Sequence, residues 1–279
     1  MSTAPFDALS CPLDGDPLSQ QSGVWSCAQG HTFDIARQGY VHLLPVQHKR
    51  SRDPGDSKAM VAARQRFLNA GHYERIAQHV TQAVWANATT SSLSCLDAGC
   101  GEGYYLRQLA QLSAAETSLS LVGVDISKWA VLAAAKADQN STWVVGSNAH
   151  LPIQAQTLDR VLCMFGFPVY TEFARVLKSG GELIQVDAGP DHLRELREVI
   201  YPVLKAPRPA SSEAPEGFTQ AGQDTLRYTI DLADNSAIAD LLTMTPHLYR
   251  ASAEGRARAA ALTSLTLTVD VVISRLTRH

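Results

Sequence analysis

The first 36 residues contain no lysine and no arginine. No apolar run anywhere in the chain reaches the roughly 18 to 20 residues needed to cross a bilayer, so no membrane-spanning helix is expected. The opening residues MSTAPFDALS carry neither a basic segment nor an apolar one, so no secretory signal is expected. Cysteine is scarce and odd in number, with five residues spread over positions 11, 27, 95, 100 and 163. That distribution argues against a disulfide framework and for a reducing cytoplasm. Internal repeats and long low-complexity tracts are also missing.

What is present is uneven charge. Residues 1–36 carry four aspartates and a net charge of −4. Residues 37–75 carry eight lysines and arginines against three acids, a net charge of +5. The remainder, 76–279, returns to −4. The total of −3 therefore hides one basic block. Such a block suits a phosphate backbone, although a solvated face has the same composition. The length of 279 residues allows one large domain or two ordinary ones, and 45% hydrophobic against 18% charged residues fits a globular chain with a core.

The pattern divides into three parts. Residues 1–45 are short segments punctuated by Gly and Pro, such as VWSCAQGHTF and GYVHLLP, and suggest short strands around something other than a large core. Residues 46–90 form a basic connector that reads as two helices separated near Gly71. From 91 to 279, strands and helices alternate: SLSCLDAG, LSLVGVDIS, TWVVGS, LDRVLCMFG and ELIQVDAG read as strands with helical segments between them. This rhythm means βαβ units, hence an α/β fold with a parallel sheet. Residues 205–225 read as a loop, and two final antiparallel strands are expected to complete the sheet.

Two constellations carry chemistry. The first is Asp97-Ala-Gly99-Cys-Gly101-Glu-Gly103, placed after a strand and before a helix. Its G-x-G-x-G spacing differs from the G-x-G-x-x-G of nicotinamide sites. Glycines let the backbone turn tightly against a ligand. Asp97 at the strand end can hold a cationic amine. Asp125, ending the next strand, can accept hydrogen bonds from ribose hydroxyls. The combination points to S-adenosylmethionine. Cys100 fits a packing role better than a nucleophilic one. The second constellation is Cys11-Pro-Leu-Asp14 followed by Cys27-Ala-Gln-Gly-His31, a zinc knuckle with one ligand exchanged. A metal site, a degraded site and a polar turn all fit the spacing.

The segments CPL, CAQGH, FD, GYVHLLPVQHKRSRDPGDS, ARQRFLNAGHY, LDAGCGEGYY, GVDISK and GPDHLREL together resemble the bacterial 23S ribosomal RNA guanine-N1 methyltransferases of the RlmA type over nearly the whole chain. The resemblance implies a Rossmann-like class I S-adenosylmethionine-dependent methyltransferase sheet with a small N-terminal zinc-ribbon-like module. It implies methylation of N1 of a guanine in a hairpin loop of 23S rRNA, and a homodimer whose zinc modules help form an RNA cleft. Cofactor contacts carried over by motif fall on Tyr73, Gly101, Glu102 and His192, beside Asp97, Gly99 and Asp125. Zinc would be held by Cys11, Asp14, Cys27 and His31, with Asp14 where the family has Cys. Asp14 can ligate, water can fill its place, or the metal can be lost, leaving Gly15-Asp-Pro17 to hold the turn.

In the basic block, Lys49, Arg50, Arg52, Arg64 and Arg66 are expected on RNA phosphates, with His31, His42, His48 and His72 as further contacts. Tyr40, Phe33 and Trp25 either stack on unpaired bases or pack the small domain. After the fourth strand of the sheet, Phe165 and Phe167 either stack on the guanine or line the core edge. No residue is assigned as general base. Two other readings compete: a small-molecule methyltransferase with residues 1–86 as a lid, and a non-catalytic RNA-binding relative.

Overall fold

The computed structural model describes residues 2–48, 51–114, 116–204 and 213–279. The N-terminal part contributes β1 (Ser2–Pro5), β2 (Ser19–Gln21), β3 (Val24–Ser26), β4 (Thr32–Asp34) and β5 (Tyr40–His42). Two helices follow, α1 (Lys58–Asn69) and α2 (Glu74–Trp85), broken at Gly71 as the sequence predicts. The alternating part then runs β6 (Ser92–Ala98), α3 (Tyr104–Leu112), β7 (Ser118–Asp125), α4 (Lys128–Ala137), β8 (Thr142–Val145), β9 (Leu158–Met164), α5 (Tyr170–Val176), β10 (Leu177–Ala188) and α6 (Arg194–Ile200). Last come β11 (Phe218–Leu232), α7 (Asn235–Met244), α8 (His247–Arg250), α9 (Ala253–Ala260) and β12 (Leu265–Arg278).

Nine strands share one sheet in the order β11-β12-β10-β9-β6-β7-β8-β5, with β1 also on β7. The strands from β5 to β10 are parallel to their neighbours, which puts their carboxyl ends on one edge of the molecule. β12 inserts between β10 and β11 and runs antiparallel to both. Only β12, therefore, opposes the parallel set; β11 runs with it. The near-continuous apolar runs of β6, β7 and β9 follow from burial on both faces. On one face, Leu162, Ile184 and Val186 pack with Ile76, Val80, Leu106 and Leu241 from the helices. On the other, Leu96, Val161 and Leu183 pack with Phe173 of α5 and with Phe6, Leu9 and Trp25 from the N-terminal part.

Three expectations change. Residues 1–45 do not all lie apart from the large core. β1 pairs with residues 118–121 of β7, directly before the stretch that β8 pairs with, and β5 pairs with β8. Only the three-stranded β2-β3-β4 sheet stands apart, and Trp25 from it is buried in the common core. The predicted loop at 205–225 ends early, because residues 218–225 already belong to β11, whose burial alternates from Leu226 to Leu232 as in an edge strand packed on one face. The helix read over EFARVLKSGG stops at Val176, and the Gly-containing turn that follows is a register irregularity within β10.

One close approach deserves a test because it supports the ligand-facing edge. Trp143 of β8 lies across Gly123 of β7, and a Cβ on Gly123 would stand 2.6 Å from Trp143 Cε3 and 3.0 Å from Cys100 Sγ. Gly123→Ala is expected to lower unfolding stability by about 1–3 kcal/mol through overpacking. Pairing it with Trp143→Phe should recover part of that loss in denaturant titrations.

Candidate functional site

β6 delivers Asp97 and then breaks into the glycine turn. The amides of Gly99 and Cys100 both donate to Val124 O, at 2.8 and 3.1 Å, which lays the turn over the end of β7. Gly99 has φ of 90° and Gly103 of 79°, conformations that favour glycine, and α3 starts immediately after. The amide of Gly101 donates to Asp125 Oδ2 at 2.9 Å, and that of Ser127 to Asp125 Oδ1 at 2.7 Å. Asp125 is thereby oriented, and each oxygen retains acceptor capacity for a hydroxyl.

Asp97 is 0% exposed, and neither of its oxygens has a hydrogen-bond partner. Burial, and then the nearby charge of Asp125, push its pKa up to about 8. Buried polar groups are normally satisfied, so this carboxylate is set up for a partner that arrives with a ligand. Glu102 is similar in part: Oε2 pairs with Arg107 Nη2 at 2.7 Å, whereas Oε1 is buried without a partner. An unpartnered carboxylate at the strand end, an oriented one on the next strand and a glycine turn between them fit the amine, ribose and backbone contacts of S-adenosylmethionine.

An aromatic wall closes the next position along the edge. The Tyr73 hydroxyl lies 3.3 Å from His192 Nε2, the amide of Asp270 donates to His192 Nδ1 at 3.3 Å, and the ring of Phe165 stacks on His192 at 5.5 Å. Because the Asp270 amide can only donate, Nδ1 is the acceptor and the imidazole proton sits on Nε2, facing Tyr73. Burial, followed by the charges of His247 and Arg197, lowers the His192 pKa to about 4, so the ring is neutral at pH 7. Phe165 holds φ of 53°, a left-handed conformation that costs energy in a bulky residue and is found where a side chain must be aimed. Phe167, two residues on, is 89% exposed.

Two cations of the basic block have partners within the chain. Arg64 Nη2 donates to Asp56 Oδ2 at 2.6 Å and to Met244 O at 3.1 Å. Arg66 makes a two-pronged pair with Asp240, at 2.8 and 2.5 Å. Arg66 nevertheless remains largely exposed. Arg52 is exposed, and Lys49 and Arg50 lie outside the described residues. Sequence reasoning missed a cation cluster beside Arg52: Lys58 Nζ lies 4.0 Å and Lys128 Nζ 4.7 Å from the Trp129 ring centre. Lys128 lies far from the basic block in sequence, so a running charge count could not reveal the group. His48 and His150, likewise distant in sequence, face each other at 4.9 Å beside the N-terminal cysteine turn.

In that turn the four knuckle residues converge. One donor atom from each of Cys11, Asp14, Cys27 and His31 lies within 4.8 Å of all the others. His31 Nδ1 is 3.5 Å from both sulfurs and 2.8 Å from Asp14 Oδ2, while Cys27 Sγ is 3.2 Å from that same oxygen. Asp14 Oδ1 accepts the Asp16 amide at 2.9 Å, which turns Oδ2 inward and holds the carboxyl well below the usual carboxylate range. Burial raises the Cys11 thiol to about 11, so metal binding must displace its proton. Two sulfurs, an imidazole and a carboxylate converging on one point fit a four-coordinate zinc ion.

Comparison with known proteins agrees with this geometry. Residues 9–52 match the zinc-ribbon family described as RlmA, N-terminal, and residues 95–181 match the family described as Methyltransferase domain. A Streptomyces fradiae protein named 23S rRNA (guanine(748)-N(1))-methyltransferase is 33% identical over 278 residues, covering 96% of each chain. A Bacillus subtilis relative named for 23S rRNA guanine-N1 methylation is 32% identical over 279 residues, covering 97% of each chain. A Micromonospora griseorubida relative named for the same reaction is 32% identical over 292 residues, covering 96% of each.

Replacing the carboxylate by a thiolate should tighten the N-terminal site. Asp14→Cys is expected to raise zinc affinity at least about tenfold, and Asp14→Ala to lower it, in competition with a chromophoric chelator. Equal affinity for all three proteins would show that Asp14 is not a ligand.

Proposed function

The chain belongs to the family of 23S rRNA (guanine-N1)-methyltransferases, and from this we propose that it transfers a methyl group from S-adenosylmethionine to N1 of a guanine in a hairpin loop of 23S ribosomal RNA. The observation that carries the reading is the fully buried, unpartnered Asp97 beside the glycine turn at the carboxyl edge of the sheet. When bound, the cofactor supplies a methyl group on a sulfonium, an electrophile strong enough that placement accounts for much of the rate.

The residues divide the work of binding and placement. Asp97 accepts from the cofactor's amine, Asp125 from its ribose, and Gly99, Gly101 and Glu102 let the backbone approach it. Tyr73 and His192 border the same edge. With Nδ1 taken by the Asp270 amide and the Nε2 proton facing Tyr73, His192 orients the Tyr73 hydroxyl and is not set to remove a proton. A target guanine must present N1 unpaired. In a loop this costs less than the few kcal/mol of flipping from a duplex. Phe165 and Phe167 supply aromatic faces at the edge where the base would enter. Arg52, Lys58 and Lys128 around Trp129 offer cations for the RNA backbone.

We assign residues 1–45 as the zinc-ribbon-like module, 46–90 as the connector and 91–279 as the methyltransferase domain. The described cysteines are all free, and with an rRNA substrate this supports a cytoplasmic enzyme. The family resemblance supports a homodimer.

The decisive assay is methylation of rRNA stripped from a strain lacking the enzyme, followed by primer extension through 23S hairpins. A new stop at one guanine is expected. Methylation of a small metabolite without such a stop would replace the RNA reading by the small-molecule one. Binding should also depend on pH with a defined sign. Below about pH 8, free Asp97 is protonated, so a cationic amine binds only as that proton leaves. S-adenosylhomocysteine should therefore bind more tightly as pH rises from 6 to 8, by up to about tenfold per unit. In Asp97→Asn, calorimetry should show weaker binding with that slope lost.

A further inference from the structure

Arg64 occupies a place that its expected role on RNA does not explain. A Cβ built on Gly101 would touch Arg64 Cδ at 3.5 Å and Nε at 3.9 Å, so this side chain lies over the glycine turn. Its Nη2 is held by Asp56 and by Met244 O, and its Nε is buried with no partner. The holder is itself anchored. Asp56 O accepts from Ser127 Oγ at 2.6 Å, and Gly55, at φ of 82°, packs so closely that a Cβ would lie 2.8 Å from Ser127 Cβ. The segment Ser51–Ser57 is therefore clamped to the loop after β7 that also orients Asp125, and it aims Arg64 at the cofactor edge. The charge of Arg64 is felt at Tyr73, Glu102 and Asp125, the same residues that border the cofactor.

At one glycine turn, both Asp97 oxygens and Arg64 Nε are thus buried atoms without partners, and the two side chains are opposite in kind. Once ionised, Asp97 only accepts and calls for a cation; the Arg64 guanidinium can only donate and calls for an anion. An α-amino acid end presents both charges one carbon apart. We propose that Arg64 binds the α-carboxylate of the cofactor's methionine portion while Asp97 takes its ammonium, with Asp56 as the positioning residue for Arg64. The assignment rests on the S-adenosylmethionine reading given under Proposed function. An RNA phosphate fits less well, because the unpartnered Nε is buried against the glycine turn.

Calorimetry with two ligands tests this without RNA. S-adenosylhomocysteine carries the amine and the carboxylate, whereas S-adenosyl-3-thiopropylamine keeps the amine and lacks the carboxylate. In Arg64→Met, S-adenosylhomocysteine is expected to bind about 30-fold or more weakly, as for loss of one side of an enclosed charge pair. The propylamine ligand should change by less than about threefold, since it never had the group that Arg64 holds. Arg64→Lys, which retains the charge, should restore part of the S-adenosylhomocysteine affinity and none of the difference for the other ligand. The ratio of the two ligands within each variant is independent of any shared loss of folded protein. Equal weakening of both ligands, or unchanged S-adenosylhomocysteine affinity with weakened rRNA binding, would overturn the assignment. If the native chain binds neither ligand, the cofactor reading itself fails, a different result from failure of the Arg64 assignment.

Discussion

Asp97 is the constraint around which the ligand-facing edge is organised. A carboxylate enclosed by protein and denied a hydrogen bond is destabilising, and its raised pKa expresses that penalty as retention of a proton. Nothing in the core needs a carboxyl there; an apolar residue would pack the end of β6 more comfortably. Its presence is understandable if the penalty is relieved by a cation, and the parallel sheet brings just the right surroundings. The carboxyl ends of β6, β7 and β9 lie side by side, so Asp97, Asp125 and Phe165 share one edge, although 68 residues separate the first from the last.

Attached to that edge is a segment that sequence alone presents as an RNA arm. Asp-Pro-Gly-Asp at 53–56 follows the three cations expected on RNA phosphates. In the fold, Gly55 and Asp56 are pressed onto Ile126 and Ser127, and Asp56 grips Arg64. The basic block is consequently divided: Arg64 and Arg66 pair with Asp56 and Asp240, while Arg52 and Lys58 are exposed and Lys58 is joined by Lys128 at the Trp129 ring. Charge along the sequence marked a basic region but could not say which of its cations are paired within the chain. That depends on which aspartates the fold brings opposite them.

The N-terminal ribbon shows a related division. Its spacing of donors was legible from the start, and the four side chains do meet. Its relation to the rest was not, because the pairing of β1 with β7 and of β5 with β8 joins residues more than 100 apart. A three-residue strand carries too little pattern to name its partner. The same limit hid the start of β11 at Phe218, where Gly and Gln-rich sequence looks like loop and is held as strand only by β12.

Local chemistry written in the chain specified the elements: apolar runs made the buried strands, Ser57, Ser127 and Asp234 capped the helices they precede, and glycines marked the turn over the cofactor edge. These are short-range effects, and a sequence displays them directly. The empty hydrogen-bonding positions of Asp97 and Arg64, the tautomer of His192 and the outward cluster at Trp129 belong to the folded state. Each depends on atoms supplied by distant segments, and burial and partnership are properties of that assembled neighbourhood rather than of any residue in it.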